Sequence, residues 1–172
     1  NSLCAIAVGK VLHIENKLIK KGIETFIPTK NRMEIIELKE GIKVINDAYN
    51  SSVESVRASI EYMQHMKANR RIAVLGDVLE TGKFAKSLHE EIGKIVSKNR
   101  INILICSGEN AKYIVESAKM NGFDEKNIYY FENKEQIIDL LRQILQPEDV
   151  VLLKASNGMR FFDMVEELKN IK

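Results

Sequence analysis

The chain has no tryptophan, two prolines, two cysteines and three histidines in 172 residues, and only 6% of its residues are aromatic. Each scarcity excludes something. Cys4 and Cys106 sit in apolar runs without metal-ligand spacing, which excludes a disulfide scaffold and fits a reduced, cytoplasmic protein. His13, His65 and His89 fall on separate helix-like segments with no i, i+4 partner, so no metal site is expected. No apolar run approaches the ~18 residues of a membrane span. Lys and Arg (26) nearly balance Asp and Glu (24), and a net charge of +2 gives no electrostatic reason to bind nucleic acid or a membrane. The phosphate-loop pattern G-x-x-x-x-G-K-[ST] and the dinucleotide fingerprint G-x-G-x-x-G are both missing.

What is present is apolar content. At 45% it excludes disorder, and the length suits one domain, or one domain and a piece of another. Residues 2 to 14 are apolar nearly all round, the pattern of a helix buried on several sides. A second short helix over about 16–22 is expected to end at Gly22, a residue suited to a left-handed cap. Asn1 opens directly into this run, so residues 1–28 read as the helical remnant of another domain, with Pro28 as the boundary.

From residue 29 to 172 the rhythm changes to strands alternating with helices. Met33–Leu38 and Ile42–Ile45 flank a Glu40-Gly41 turn, as in a hairpin. Ser51-x-x-Glu54 predicts a capping box for a helix with Val53, Val56, Ile60 and Met63 on one face. Strands are expected at 72–75, 103–106, 128–131 and 150–153. Helices are expected at about 84–98, 109–120, 133–145 and 158–169. Such alternation predicts a Rossmann-like α/β domain, a mostly parallel sheet with helices on both faces.

In such sheets ligands bind beyond the carboxyl ends of the strands. Four loops qualify: Asn46-Asp47-Ala48-Tyr49-Asn50, Gly76-Asp77 through Gly82, Ser107-Gly108-Glu109-Asn110, and Lys154-Ala155-Ser156-Asn157-Gly158. Four of the nine glycines lie in them, as close approach to a ligand or a tight turn requires. Asp47 and Asp77 suit ligand contact or helix capping, and Ser156 suits an N-cap better than a nucleophile. Lys154 ends an apolar strand, where a cation either meets an anionic ligand or is simply solvated. These residues predict a domain that binds a small anion.

Asn31-Arg32-Met33, Asp47-Ala48-Tyr49-Asn50, Val74-Leu75-Gly76-Asp77-Val78-Leu79-Glu80-Thr81-Gly82 and Leu153-Lys154-Ala155-Ser156, in that order, resemble the C-terminal part of the Mur ligases. Within that family the resemblance is to members that add D-alanyl-D-alanine. It implies an ATP- and Mg²⁺-dependent ligase of peptidoglycan synthesis, which activates the carboxylate of UDP-N-acetylmuramoyl-tripeptide as an acyl phosphate and passes it to the amine of D-Ala-D-Ala. It further implies that Asn1, Arg32, Asp47 and Asn50 meet ATP, and that Tyr49, Asn50, Lys154 and Ser156 meet the dipeptide. Asp77 and Glu80 would organise their loop. The Mg²⁺ ligands and catalytic groups would lie in the family's N-terminal and central domains, leaving this chain inactive alone. Asn31, Asn46, Ser52, Ala155 and Asn157 depart from the family pattern. Two other readings are a different Mur-type or folylpolyglutamate-type amide ligase, which the missing Asp-Asn-Pro-Arg signature disfavours in its diamino-acid branch, and a non-catalytic Rossmann-like binding module.

Overall fold

Apolar residues alternate along each central strand, and the two sets go to opposite faces of one sheet. In the computed structural model, which describes residues 2–27 and 29–170, the strands are β1 (Glu34–Glu37), β2 (Lys43–Asn46), β3 (Arg71–Gly76), β4 (Ile103–Ser107), β5 (Ile128–Phe131) and β6 (Val150–Lys154). The helices are α1 (Ser2–Val11), α2 (Asn16–Glu24), α3 (Val53–Gln64), α4 (Ala85–Lys98), α5 (Ala111–Met120), α6 (Lys134–Ile144) and α7 (Asp163–Lys169). The sheet order is β1-β2-β6-β3-β4-β5, and only the β1–β2 hairpin is antiparallel. Ala73, Leu75 and Leu152 point into a core with α3, α4 and α5. Ile72, Val74, Val151 and Leu153 point into the opposite core, with α6 and α7.

The topology follows from crossover handedness. From β2 to β5 the chain advances one way across the sheet, with α3, α4 and α5 on one face. The return from β5 to β6 runs the other way, and a right-handed crossover then requires the opposite face, where α6 packs. β6 is thereby inserted between β2 and β3, so the carboxyl ends of these three strands stand side by side.

Several boundaries differ from expectation. α2 passes through Gly22 and ends at Glu24. The capping box of α3 is Ser52 with Ser55, one residue later than Ser51 with Glu54. The last helix begins at Asp163, because a 3₁₀ turn over Asn157–Met159 ends at Arg160 in a left-handed conformation (φ 52°). The expected Pro28 boundary and the expected role of Asn1 lie outside the described residues. α1 and α2 pack on each other at Gly9, yet leave Leu3, Val11 and Ile27 at least 75% exposed. Among the described residues no helix is long and apolar enough to cross a membrane.

Candidate functional site

Lys154 is the last residue of β6, and its whole side chain is buried. A lysine ammonium there needs acceptors, and the neighbouring strand end supplies them. Nζ donates to Asp47 Oδ2 at 2.5 Å and to the Asn50 carbonyl at 3.2 Å, and lies 3.5 Å from the Asp47 carbonyl. Burial pushes the Lys154 pKa down, while the Asp47 carboxylate pulls it up and the Arg32 charge adds to the lowering. Asp47 continues the ladder beyond β2, donating its N–H to the Leu153 carbonyl. Its Oδ1 accepts the Met33 N–H (3.2 Å), and its Oδ2 also lies 2.6 Å from Ser59 Oγ on α3. Three neighbours therefore hold a carboxylate with about four acceptor positions, which leaves room for one more donor.

Arg32 stacks over the Tyr49 ring, 4.1 Å from its centroid, and has no carboxylate partner among the described residues. Two departures from the family pattern are explained together here. Asn31 has a left-handed backbone (φ 62°), a conformation Asn tolerates better than most residues with a side chain. Its side-chain oxygen then accepts from Asn46 Nδ2 (2.9 Å), which also donates to Glu34 Oε2 (3.2 Å). An Asp at 46 would repel Glu34; an Asn donates to it. Arg32, Asp47, Tyr49, Ser59, Tyr62 and Lys154 line a cavity of about 590 Å³.

A second cavity of about 320 Å³ shares the Tyr49-Asn50 wall and is completed by Leu79, Glu80, Ser156 and Asn157. Its loops are stitched together: Ser156 Oγ accepts the Leu79 N–H (2.9 Å), and the Ser156 N–H donates to the Asp77 carbonyl (3.0 Å). Asp77 is buried and accepts from the N–H groups of Asn110 and Ala111, capping α5 across the sheet end. The Gly108 backbone (φ 125°) passes so close that a Cβ there would meet the Asp77 carboxylate. His89 is fully buried; its Nε2 accepts the Val78 N–H (3.0 Å) and its Nδ1 faces the Ala85 carbonyl (2.6 Å), which selects the Nδ1–H tautomer.

The structure thus brings Arg32, Asp47, Tyr49, Asn50, Lys154 and Ser156 to one sheet end. It separates Lys154 from Ser156, however: Lys154 lines the first cavity, bonded to Asp47, and Ser156 lines the second. Asp77 ties loops together, while Glu80 has no hydrogen-bond or ionic partner among the described residues. Ser59 and Met33 were missed by sequence reasoning. Ser59 left a trace, as a polar residue interrupting the Val56-Ile60-Met63 stripe; a backbone N–H such as that of Met33 leaves none. Among the described residues no group of three or more His, Cys, Asp or Glu could hold a metal ion, so these residues do not fit a Mg²⁺ site of their own.

Residues 31–157 match the family described as Mur ligase, glutamate ligase domain. The UDP-N-acetylmuramoyl-tripeptide–D-alanyl-D-alanine ligase of Bacillus subtilis is 30% identical over 98% of this chain and 37% of its own length. The ligase of the same name from Synechocystis is 26% identical over 98% of this chain and 36% of its own length. MurF from Acinetobacter baumannii has the same fold (TM-score 0.85, 21% identity, 98% of this chain and 36% of that one). So does the Thermotoga maritima MurF ligase solved in complex with ADP (TM-score 0.78, 24% identity, 95% and 36%). The chain therefore spans little more than a third of the relatives it matches. By the match over residues 31–157, it belongs to the Mur ligase family through that family's glutamate ligase domain.

Proposed function

We propose that this chain is the C-terminal part of an ATP-dependent ligase that joins D-alanyl-D-alanine to UDP-N-acetylmuramoyl-tripeptide in peptidoglycan precursor synthesis. The observation that carries the reading is the pair of cavities meeting at Tyr49-Asn50, one cationic and one without a cation. The names of the relatives supply the substrate class. Residues 1–28, with their exposed apolar side chains, belong in this reading to a neighbouring ATPase domain, and the family match beginning at residue 31 supports a boundary there. A reaction driven by ATP belongs in the cytoplasm.

The first cavity fits a nucleotide. Asp47 has one acceptor position left for a ribose hydroxyl, and the Arg32 guanidinium presents a fork of N–H donors suited to phosphate oxygens. Lys154 serves that site indirectly, fixing the Asp47 carboxylate and the Asn50 carbonyl. When bound, ATP supplies the phosphoryl group that makes the tripeptide carboxylate a competent acyl donor. This chain's residues orient the nucleotide and present the amine. Any Mg²⁺ would be held outside the described residues.

Amide NMR titrations test the reading. ADP should shift Arg32, Asp47 and Tyr49, and D-Ala-D-Ala should shift Asn50, Ser156 and Asn157. A response to meso-diaminopimelate, L-lysine or L-glutamate with none to D-Ala-D-Ala would move the chain to another Mur-type or folylpolyglutamate-type ligase. A response only to flavin or dinucleotide would make it a binding module.

A further inference from the structure

The two cavities differ in the sign of their charge. The first is lined by Arg32 and Lys154 against Asp47, a net positive charge. The second has a single charged residue in its lining, Glu80, among Tyr49, Asn50, Ser156 and Asn157. A ligand carboxylate placed there would find no cation in the lining among the described residues, whereas an ammonium would find one carboxylate and several carbonyl or hydroxyl oxygens. At about 320 Å³ the space is at the small end of the ~300–1,000 Å³ seen for ligand pockets, the right scale for an amino acid or dipeptide.

Glu80 is also held in an uncommon way. Its backbone is left-handed (φ 61°), a strained conformation that a non-glycine residue keeps only where its surroundings impose it. They do. Residues 77, 78 and 79 are pinned in turn by Ser156 N–H on the Asp77 carbonyl, His89 Nε2 on the Val78 N–H, and Ser156 Oγ on the Leu79 N–H. Beside it, Leu79 packs where a Cβ on Gly158 would lie 2.9 Å from its Cδ1, giving the cavity an apolar floor. Glu80 therefore stands at the tip of a rigid turn, solvent-exposed and unpaired among the described residues.

We propose that Glu80 receives the ammonium group of the amine substrate, and that it is a recognition residue for the dipeptide as well as a member of its loop. This rests on the ligase reading above. It departs from the expectation that Lys154, a cation, meets the dipeptide: Lys154 is bonded to Asp47 and lines the other cavity.

The test is a set of NMR titrations of the chain with D-Ala-D-Ala, N-acetyl-D-Ala-D-Ala, D-alanyl-D-alaninamide and L-lysine, each repeated on Glu80→Gln. The dipeptide and its amide should saturate shifts at Leu79, Glu80 and Ser156, and the acetylated form, which has no ammonium, should bind about tenfold more weakly or worse. Glu80→Gln should weaken the dipeptide by a similar factor and leave the acetylated form unchanged. Because Glu80 is exposed, the variant's spectrum should remain dispersed. Equal binding of the acetylated and free dipeptides at Asn50 and Ser156 would overturn the Glu80 assignment and leave the ligase reading intact. An ammonium-dependent response of Glu80 to L-lysine, with none to D-Ala-D-Ala, would keep the Glu80 assignment and overturn the dipeptide reading. No response of Glu80 to any of these amines overturns the proposal.

Discussion

Lys154 and Asp47 are 107 residues apart in sequence and form one buried ion pair whose two ends are not equally provided for. Without Lys154, Asp47 keeps the Met33 N–H and Ser59 Oγ. Without Asp47's charge, Lys154 keeps only carbonyl oxygens. Asp47→Asn should therefore destabilise the fold by about 3 kcal/mol, and Lys154→Met by less, measured by urea unfolding at neutral pH. The pH dependence has a definite sign. Burial lowers the folded-state pKa of Lys154, so the folded chain binds this proton less tightly than the unfolded chain. The charge opposes folding below the folded-state pKa, and the cost fades as pH rises from there to the unfolded value near ~10.4. Removing Asp47 removes a raising influence and widens this window downward. The stability gap between Asp47→Asn and wild type should thus narrow as pH rises from neutrality toward the unfolded value; a constant gap would sink the account. The sequence marked Lys154 as a cation at a strand end that either meets an anionic ligand or is solvated. It could not show that the nearest anion is the protein's own, because β2 and β6 become neighbours only through the crossover.

At the scale of elements, periodicity located the strands and most helices, while ends depended on single side-chain contacts that periodicity does not encode. α3 is the clearest case. Ser52 Oγ accepts the Ser55 N–H and Ser55 Oγ accepts the Ser52 N–H, whereas the Ser51 hydroxyl is buried with no partner among the described residues. Ser52→Ala should cost about 1 kcal/mol in urea unfolding, and Ser51→Ala nothing or a small gain. The opposite ranking would restore the cap at Ser51. α4 and α5 pack closely because Gly93 has no side chain: a Cβ there would lie 2.5 Å from the Ile114 carbonyl oxygen and 2.6 Å from Ser117 Cβ. The same crossing is bonded by Ser117 Oγ to the Glu90 carbonyl (2.6 Å) and Ser97 Oγ to the Ala118 carbonyl (3.1 Å). Gly93→Ala should destabilise by about 1–3 kcal/mol despite alanine's better helix propensity, since the neighbouring backbone cannot yield. An unchanged or raised midpoint would show that the two helices can move apart.

For the whole molecule, the insertion of β6 between β2 and β3 assembles both cavities, and it also sets what the chain can do unaided. Activating a carboxylate with ATP requires the charge spreading over the phosphoryl oxygens to be offset by several cations, a metal ion among them. Of the two cations lining the first cavity, Lys154 is already bonded to Asp47, which leaves Arg32. No metal-holding cluster occurs among the described residues, and the sequence has no phosphate-loop segment. One exposed guanidinium binds phosphate weakly, through an attraction that salt screens over about 10 Å at 0.1 M. The chain alone should therefore bind ADP with an affinity that falls as salt is raised, and Arg32→Ala should abolish that salt dependence. It should release no phosphate from Mg²⁺-ATP above the protein-free blank, with or without UDP-N-acetylmuramoyl-tripeptide and D-Ala-D-Ala. A colorimetric phosphate assay decides the second point: turnover that needs all three substrates and disappears in Asp47→Ala would show that this chain carries catalytic groups that neither its motifs nor its cavities reveal.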